Sequence, residues 1–259
     1  MSDFIHLHNH SHYSLLDAAC TVDDLIAASV ENNMPAFALT DHGVMFGALE
    51  FFRKAKRVGI KPILGNEMYM VTRGSRFDKN AAETHPEGKR HGYNHLVLLA
   101  KNEVGYHNLI KLTTLGHTEG FYYKQRIDFE LLRKHHEGLI ALTACAGGVV
   151  STYLAIGDYD AARSVALELK EIFGDDVYLE IQNHGLEREA VIREGMARLA
   201  IELGMKLIAT NDIHYVERSH AVAHNVYLHI ADVREADDIT RLRYETAQYY
   251  YKSEREMLE

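Results

Sequence analysis

Along the chain, short continuous apolar runs alternate with segments whose apolar residues recur with a helical period. A continuous run of about four to eight apolar residues predicts a buried strand, and the helical period predicts an amphipathic helix. The predicted strands are the opening stretch 5–17 and the runs 36–43, 61–71, 94–102, 138–148, 176–185 and 205–215. Such alternation of strands and helices predicts a parallel sheet with helices outside, and seven strands are enough to close a barrel.

Two of the predicted helices are marked by local signals. Thr21 and Asp24 have the spacing of a capping box directly before the first helical pattern. Phe46, Leu49 and Phe52 recur at helical spacing and are followed by a basic stretch. The pattern therefore predicts a second helix at this place in the chain.

A length of 259 residues predicts one large domain or two small ones. Because an α/β barrel of this size is commonly one domain, we expect a single domain that spans residues 1–259. With 47% hydrophobic and 25% charged residues, the chain can bury a sizeable core and is not of the disordered class. The segment 72–93 is polar, charged and without period, which predicts a long surface loop.

Cysteine content, apolar runs and charge narrow the class of protein. The two cysteines, Cys20 and Cys145, are too few for a disulfide framework, which predicts a cytoplasmic protein. No apolar run has membrane-spanning length and no signal peptide is evident, so no membrane partner is expected. A net charge of −9 opposes binding to nucleic acid unless bound cations or a local basic patch reverse it. The anomaly is the 17 histidines, for which metal binding is the first hypothesis.

The histidines are densest in the opening stretch, IHLHNHSHYSLLD. In an extended chain His6, His8, His10 and His12 leave the same face. A row of imidazoles costs desolvation and mutual repulsion unless a cation holds the neutral rings together. We therefore select the H-x-H pair His8 and His10 as metal ligands. The alternative is a histidine-rich surface edge near the N-terminus.

Polar residues of ligand type recur at or within the other predicted strands. In parallel α/β folds the chemistry gathers at the C-terminal ends of the strands. In chain order these positions hold His8 and His10, Asp41 and His42, Glu67, His95, Cys145, Glu180 and His184, and Asp212 and His214. Taken singly, Asp41 or Asp212 also fits a helix cap. His95 also fits a core histidine, and Cys145 a small buried residue. Because all seven predicted strands carry such a residue, a shared metal site is favoured over separate explanations for each one.

This number of ligands predicts a centre with two or three divalent ions. Zinc takes about four ligands from nitrogen, sulfur and oxygen donors. The single thiolate, Cys145, favours zinc over magnesium, with manganese or iron as alternatives. Neighbouring ions lower the pKa of bound water and clamp phosphoryl oxygens, so the predicted chemistry is phosphoester hydrolysis.

Several motifs together resemble the PHP (polymerase and histidinol phosphatase) superfamily. They are HLHNHSHYSLLD, LTDHGVMFG, GNEMY, HLVLLAKNEVGYHNLIKL, LTACAGG and ATNDIHYV. The resemblance is most specific to the PHP domains of the alpha subunits of bacterial replicative DNA polymerases, and it extends over nearly the whole chain. It implies a distorted seven-stranded (β/α) barrel of PHP type, similar to a TIM barrel, with a trinuclear metal site.

Carried over by position, the resemblance implies nine metal ligands. They are His8, His10, Asp17, His42, Glu67, His95, Cys145, Asp212 and His214. Asp17 enters only through the resemblance, and Ala18 stands where the family usually has glycine. His184 and Asp41 are the candidate catalytic residues, with His184 as an outer or phosphate-contacting group.

The resemblance also implies an activity and partners. Many polymerase PHP domains have lost ligands and serve as a scaffold for a separate proofreading exonuclease, whereas this chain retains the full set. It is therefore expected to be a metal-dependent 3′–5′ exonuclease that acts on a DNA 3′ end. The rest of a polymerase chain, which the tail 235–259 would lead into, and a separate proofreading subunit are further expected partners. The alternatives are a small-molecule phosphatase of the histidinol-phosphate type and a non-catalytic structural module.

Two basic groups are candidates for contacts with DNA. The densest cluster consists of Arg53, Lys54, Lys56, Arg57 and Lys61, for which a solvated helix face is an equally good interpretation. Lys89 and Arg90, in the long loop that follows the Glu67 strand, are preferred as residues at the rim of the site.

Overall fold

The structure is a computed structural model that describes residues 2–79, 83–84, 90–231 and 244–259. Its strands are β1 (Ala36–Leu39), β2 (Lys61–Val71), β3 (Glu83–Thr84), β4 (Arg90–His91), β5 (Asn94–Ala100), β6 (Phe121–Tyr122), β7 (Lys124–Asp128), β8 (Leu139–Leu142), β9 (Val177–Ile181) and β10 (Lys206–Ala209). Its α-helices are α1 (Val22–Glu31), α2 (Ala48–Arg57), α3 (Glu103–Thr118), α4 (Phe129–His135), α5 (Ser151–Ala155), α6 (Tyr159–Phe173), α7 (Glu187–Leu203), α8 (Ala221–Ala231) and α9 (Glu254–Leu258).

One mixed sheet forms the centre of the fold, in the order β10–β9–β8–β5–β2–β7–β6, with β1 also paired to β2. Most pairs are parallel, but β5 runs antiparallel to both of its neighbours, β2 and β8. The prediction of an all-parallel sheet is therefore wrong at β5. Parallel neighbours need a long crossover, usually a helix, and the described residues between β2 and β5 contain no helix.

The N-terminal segment closes the sheet into a barrel. The amides of Ala38 and Thr40 donate to the carbonyls of His6 and Asn9, at 3.0 and 2.9 Å. On the other side, the Ile213 amide donates to the carbonyl of His8, and the segment bridges in parallel to the chain beyond β10. Residues 6–10 thus take the place of a seventh strand beside β1, β2, β5, β8, β9 and β10. The distorted seven-stranded barrel is confirmed, although the opening stretch forms only this bridge and no regular strand.

Successive side chains of β5 point to opposite faces of the sheet and pack in two different apolar layers. Leu96 and Leu98 belong to the large core between the sheet and the outer helices. Val97 and Leu99 point to the other face and pack inside the barrel with residues such as Ala38. Since successive strand residues alternate between faces, His95 shares the inner face with Val97.

The helix predicted from Phe46, Leu49 and Phe52 is confirmed as α2, but this apolar pattern does not face the core. The residues that α2 buries are Ala48, Phe51 and Ala55. Phe46 is 62% exposed, and the next members of the same pattern are exposed as well. The buried positions 48, 51 and 55 are thus offset by one residue from the predicted apolar positions 49 and 52. The capping box of α1 is confirmed.

The predicted loop and tail are partly described. Within 72–93, the short strands β3 and β4 pair antiparallel, and Arg76 is buried at 6% exposure. Lys89 and the side chain of Arg90 lie outside the described residues. In the tail, residues 244–259 pack on the barrel, where the His214 amide donates to the Tyr249 carbonyl at 2.8 Å. Among the described helices, none is both long and apolar enough to cross a membrane.

Candidate metal centre

The residues expected to bind metal lie at one end of the barrel and form one connected cluster. Contacts of 2.8 to 3.9 Å link each of them to at least one other member. The members are His8, His10, Asp17, His42, Glu67, His95, Cys145, Asp212 and His214. The structure therefore brings all nine predicted ligands together.

The reversed direction of β5 explains how a residue at the start of a strand reaches this end of the barrel. In a parallel strand such as β2 the C-terminal half approaches the site. In the antiparallel β5 the N-terminal half does so, and this half contains His95. Glu67 pairs with Val97 in the register and also bridges to His42, so all three segments meet at one level.

Glu67 lies at the middle of the cluster, and its side chain is almost fully buried. Its Oε1 atom is 3.2 Å from His8 Nε2 and 3.1 Å from His95 Nδ1. Its Oε2 atom is 3.1 Å from His10 Nε2 and 2.8 Å from His42 Nδ1. One carboxylate thus faces four imidazoles, the arrangement expected of a bridging ligand between ions.

Two aspartates extend the cluster on either side. Asp212 Oδ1 lies 3.2 Å from Nε2 of both His8 and His10. Asp17 Oδ2 lies 2.8 Å from His42 Nε2 and 3.5 Å from His214 Nε2. Asp212 has a φ of +48°, a left-handed conformation that residues other than glycine adopt at a cost. We infer that this backbone is held in place to direct the carboxylate into the centre.

Cys145 completes the set at the edge formed by β8. Its Sγ atom lies 3.6 Å from His95 Nδ1 and 3.9 Å from Glu67 Oε1. The preceding residue, Ala144, has a φ of +64°, and its amide donates to Glu180 Oε2 at 2.8 Å. Burial and the nearby carboxylates raise the pKa of the Cys145 thiol well above its ordinary value. A cation beside the sulfur would have the opposite effect and favour the thiolate.

The donor atoms fit divalent metal ions. Buried atoms of ligand type have no hydrogen-bond partner within the described structure, and they face one another: His8 Nε2, His10 Nε2, His42 Nδ1, Glu67 Oε2 and Asp212 Oδ1. Three overlapping groups have donor atoms within 4.8 Å of one another: His8, His10 and Asp212; His10, His42 and His214; and His42, Glu67 and His95. Buried polar atoms without partners are costly, and a bound cation removes that cost.

The charges of the cluster lead to the same conclusion. Among the described residues, the ion-pair partners of Asp17, Glu67 and Asp212 are all histidines. Burial opposes protonation of His42, but the charges of Glu67 and Asp17 outweigh it and raise the pKa of His42 to about 10. The imidazoles in turn hold the pKa of Glu67 well below its usual range. Bound metal ions could take the place of the protons on these imidazoles, because metal ligands must be deprotonated.

Residues around the ligands fix which nitrogen of each imidazole faces the centre. His8 Nδ1 donates to Glu180 Oε1 at 2.7 Å, which leaves Nε2 for an ion. His10 Nδ1 donates to Ser14 Oγ at 3.0 Å, and that hydroxyl donates to Asp41 Oδ1 at 2.8 Å. Hydrogen bonds of this kind to the non-ligating nitrogen are typical of metal-binding histidines.

Asp41 and His184, the two predicted catalytic residues, are buried and make hydrogen bonds with other protein groups. Asp41 accepts from the Ser11 amide at 2.7 Å and belongs to the support of His10. His184 contacts Glu189 Oε1 through Nδ1 at 2.6 Å and the Asn211 carbonyl through Nε2 at 3.0 Å. Neither side chain lines the pocket that opens at the cluster. Their position is that of residues that hold the ligands in place.

Two supporting residues have roles that the sequence pattern does not assign. Glu180 lies at a strand end, but spacing alone does not distinguish a ligand from a partner of a ligand. The Tyr244 hydroxyl lies 2.8 Å from His214 Nε2 and 3.3 Å from Asp17 Oδ1. No local pattern marks this tyrosine, because its contacts are with residues far away in the chain.

A pocket of about 240 Å³ opens beside Asp17 and His42. Its walls combine aromatic and aliphatic side chains with a cation and polar groups: Tyr13, Leu15, Val44, Phe46, Tyr69, His117, Lys124 and Gln125. The Lys124 ammonium lies 5.2 Å from the centre of the Tyr69 ring. The metal centre is therefore open to a ligand from this side.

A distorted α/β barrel with a buried cluster of histidines and carboxylates at one end defines a barrel protein with a candidate metal centre. The chain belongs to the PHP domain family, whose model matches residues 6–184. The resemblance noted in the sequence is thereby confirmed. Asp212 and His214 lie beyond the matched range and join the cluster through the fold.

The relatives are large proteins. The chain is 45% identical over 258 residues to the DNA polymerase III alpha subunit of Borreliella burgdorferi, and the match covers 100% of this chain and 22% of that one. The Thermus aquaticus alpha subunit is 42% identical over 256 residues, covering 98% and 21%. The chain thus spans about a fifth of the length of these relatives. Among solved structures, an amidohydrolase from Chromobacterium violaceum with bound sulfate is similar in fold, with a TM-score of 0.51 and 17% identity over 81% of this chain and 87% of that one.

Proposed function

We propose that this chain is the metal-dependent phosphoesterase domain of a replicative DNA polymerase and acts in the cytoplasm as a 3′–5′ proofreading exonuclease. The observation that carries the proposal is the complete cluster of nine ligand-type residues with unpartnered buried atoms at its middle. Relatives that are DNA polymerase III alpha subunits support the polymerase context. The rest of the polymerase chain, a DNA 3′ end and a separate proofreading subunit are the proposed partners.

The three overlapping groups of donors would hold two or three divalent ions. We propose that at least one of them is zinc, because Cys145 and the histidines are borderline or soft donors. Bound at these groups, the ions supply positive charge to a phosphodiester and activate water for its hydrolysis.

The chain itself contributes orientation and a positive charge. Glu180 and Ser14 fix the tautomers of His8 and His10, so that the lone pairs face inward without rearrangement. Asp41 and His184 act as positioning residues one contact further out. Lys124, in the wall of the pocket beside Asp17 and His42, places a positive charge where a phosphate would enter.

An assay with two substrates tests the proposal against its alternatives. The purified protein, with its metal content measured, is given a primer with a mismatched 3′ end and, separately, histidinol phosphate. Metal-dependent release of the 3′ nucleotide supports the exonuclease. Hydrolysis of histidinol phosphate with intact DNA would indicate a small-molecule phosphatase. A fully metallated protein that cleaves neither would be a structural module.

A further inference from the structure

A second cavity continues from the pocket beside the metal centre. This groove, of about 420 Å³, runs along α2 and is lined by Phe46, Leu49, Glu50, Arg53, Lys54 and Arg57. Phe46 lines the pocket and the groove alike, and its ring is 62% exposed between them. An extended ligand that reaches the metal centre can therefore continue along α2 without leaving the surface.

The groove carries positive charge that the described residues do not neutralise. Lys54 is paired with Asp23 and Glu50, at 2.7 and 2.6 Å. For Arg53 and Arg57, by contrast, no carboxylate lies within ion-pair distance in the described part of the chain. Arg53 and Arg57 are four residues apart, so they lie on one face of α2 about 6 Å apart along the helix axis. The groove therefore has a local positive charge on a chain whose net charge is −9.

An exposed aromatic ring followed by cations along a groove is the combination that binds single-stranded nucleic acid. Bases stack on the aromatic side chain, and the cations contact the phosphates that follow. A neutral or basic partner would leave the charges of Arg53 and Arg57 unmatched, whereas a polyanion matches them.

We propose that the α2 groove binds the single strand whose 3′ end enters the metal centre. Phe46 stacks on a base near the end, and Arg53 and Arg57 contact phosphates further along the strand. The direction of the strand rests on the proposed exonuclease function, whereas binding to the groove does not.

The arginines are tested by equilibrium binding of a labelled oligothymidylate of about 12 nucleotides, with chelator present so that no cleavage occurs. The double variant Arg53→Gln/Arg57→Gln is compared with Lys56→Gln/Lys61→Gln, which has the same net charge but lies outside the groove lining. Each phosphate contact to a single strand contributes about 0.7 to the slope of log affinity against log salt. We expect the arginine pair to lower this slope by about 1.4 and the lysine pair to leave it nearly unchanged.

The aromatic contact is tested with a second matched pair. Phe46→Ala removes the ring at the junction, and Phe121→Ala removes a ring of similar exposure, 59%, that lines neither cavity. We expect about a tenfold loss of oligonucleotide affinity for Phe46→Ala alone.

The outcomes separate this proposal from the proposed function. If the test variant and its control have equal effects on DNA binding, or neither has an effect, the α2 groove does not bind single-stranded DNA. The groove would then be the contact surface of a protein partner. If DNA binds in the α2 groove but is not cleaved when metal is restored, the proposed exonuclease function is wrong and the proposed binding site stands. If DNA is cleaved and the variants in the α2 groove bind and cleave it like the wild type, the proposed binding site is wrong and the exonuclease function stands.

Discussion

The carboxylates of two regions in this molecule are balanced in different ways. On the outer side of the sheet, the Arg76 guanidinium lies 3.1 Å from both oxygens of Asp128 and 2.8 Å from Glu119. Asp128 also accepts from the Leu131 amide and so caps α4. In the metal centre, the ion-pair partners of Asp17, Glu67 and Asp212 among the described residues are imidazoles, and several buried atoms there lack hydrogen bonds.

The Arg76 cluster is a structural contact whose charges are balanced by protein groups, whereas the candidate metal centre has buried atoms free for a ligand. An arginine is charged at every working pH and offers donors in a fixed fork, so the Arg76 cluster needs nothing further. An imidazole can balance a carboxylate with a proton or give up that proton and bind a metal. The carboxylates of the first region are thus neutralised by a permanent cation, whereas those of the second are paired with groups that could also bind a metal.

The largest expected effect is on activity. Glu67→Gln removes the carboxylate that faces four histidines, so we expect loss of at least one ion per chain. Hydrolysis of a small chromogenic phosphodiester should fall by more than about a thousandfold, because metal ions contribute several kcal/mol to such reactions. Elemental analysis and the initial rate measure the two effects, and stripping the wild type with chelator should match the variant. Glu119→Gln removes the same charge from the other cluster and should keep the wild-type metal content; similar losses in both variants would contradict the distinction.

The next effect is on stability. Arg76→Met leaves Asp128 buried without its cation, and breaking a buried pair in this way costs about 3–5 kcal/mol. Urea denaturation should show this loss equally with and without chelator, since Arg76 does not contact the metal centre. Arg73→Met is the control, because its ion pair with Asp158 is exposed and 3.8 Å long and should contribute less than about 1 kcal/mol. A loss that disappears on chelation would link the two clusters.

Local patterns explain which parts of the site could be predicted. H-x-H and D-x-H place two ligands on one side of a short segment, whatever the rest of the chain does. The strand ends then collect these pairs at one end of the barrel. Asp17 has no such pattern, and only the family resemblance points to it. The Tyr244 contact to His214 depends on how the tail docks, which no local pattern encodes.

Features set by packing were not predictable in the same way. The direction of β5 depends on the connection 72–93, whose sequence has no period from which a crossover could be recognised. The exposure of Phe46, just before α2, was not predictable either, because the helix buries Ala48, Phe51 and Ala55 instead of the predicted stripe. Helical spacing predicts a helix but not which of two adjacent stripes a neighbouring strand will cover.

A smaller effect is expected from the residues that orient the ligands. Glu180→Gln weakens the hydrogen bond that fixes His8, and loss of such a partner lowers metal affinity by about 10–100-fold. Glu189→Gln is the matched comparison, because Glu189 makes a similar bond to His184, which contacts the Asn211 carbonyl beside Asp212, so its effect on metal affinity should be smaller. Competition with a metal indicator measures the affinities. If both variants bind metal like the wild type, the bond from Glu180 does not tune the centre.

The smallest effect compares two histidines on the same segment. Burial lowers the pKa of His6 to about 4, whereas the carboxylates around His8 outweigh burial and raise its pKa. His6 Nε2 donates to the Lys252 carbonyl at 2.7 Å, a neutral partner where His8 has a carboxylate. Between pH 6.5 and 4 the unfolded chain therefore binds a proton that the folded chain does not, so stability falls as the pH falls. From pH 7 to 5.5 the wild type should lose about 1 kcal/mol more than His6→Gln, which keeps a donor for the carbonyl but cannot titrate. Chemical denaturation at both pH values, with His107→Gln as an exposed control, measures this difference; equal losses in the wild type and His6→Gln would show that His6 is already protonated in the fold.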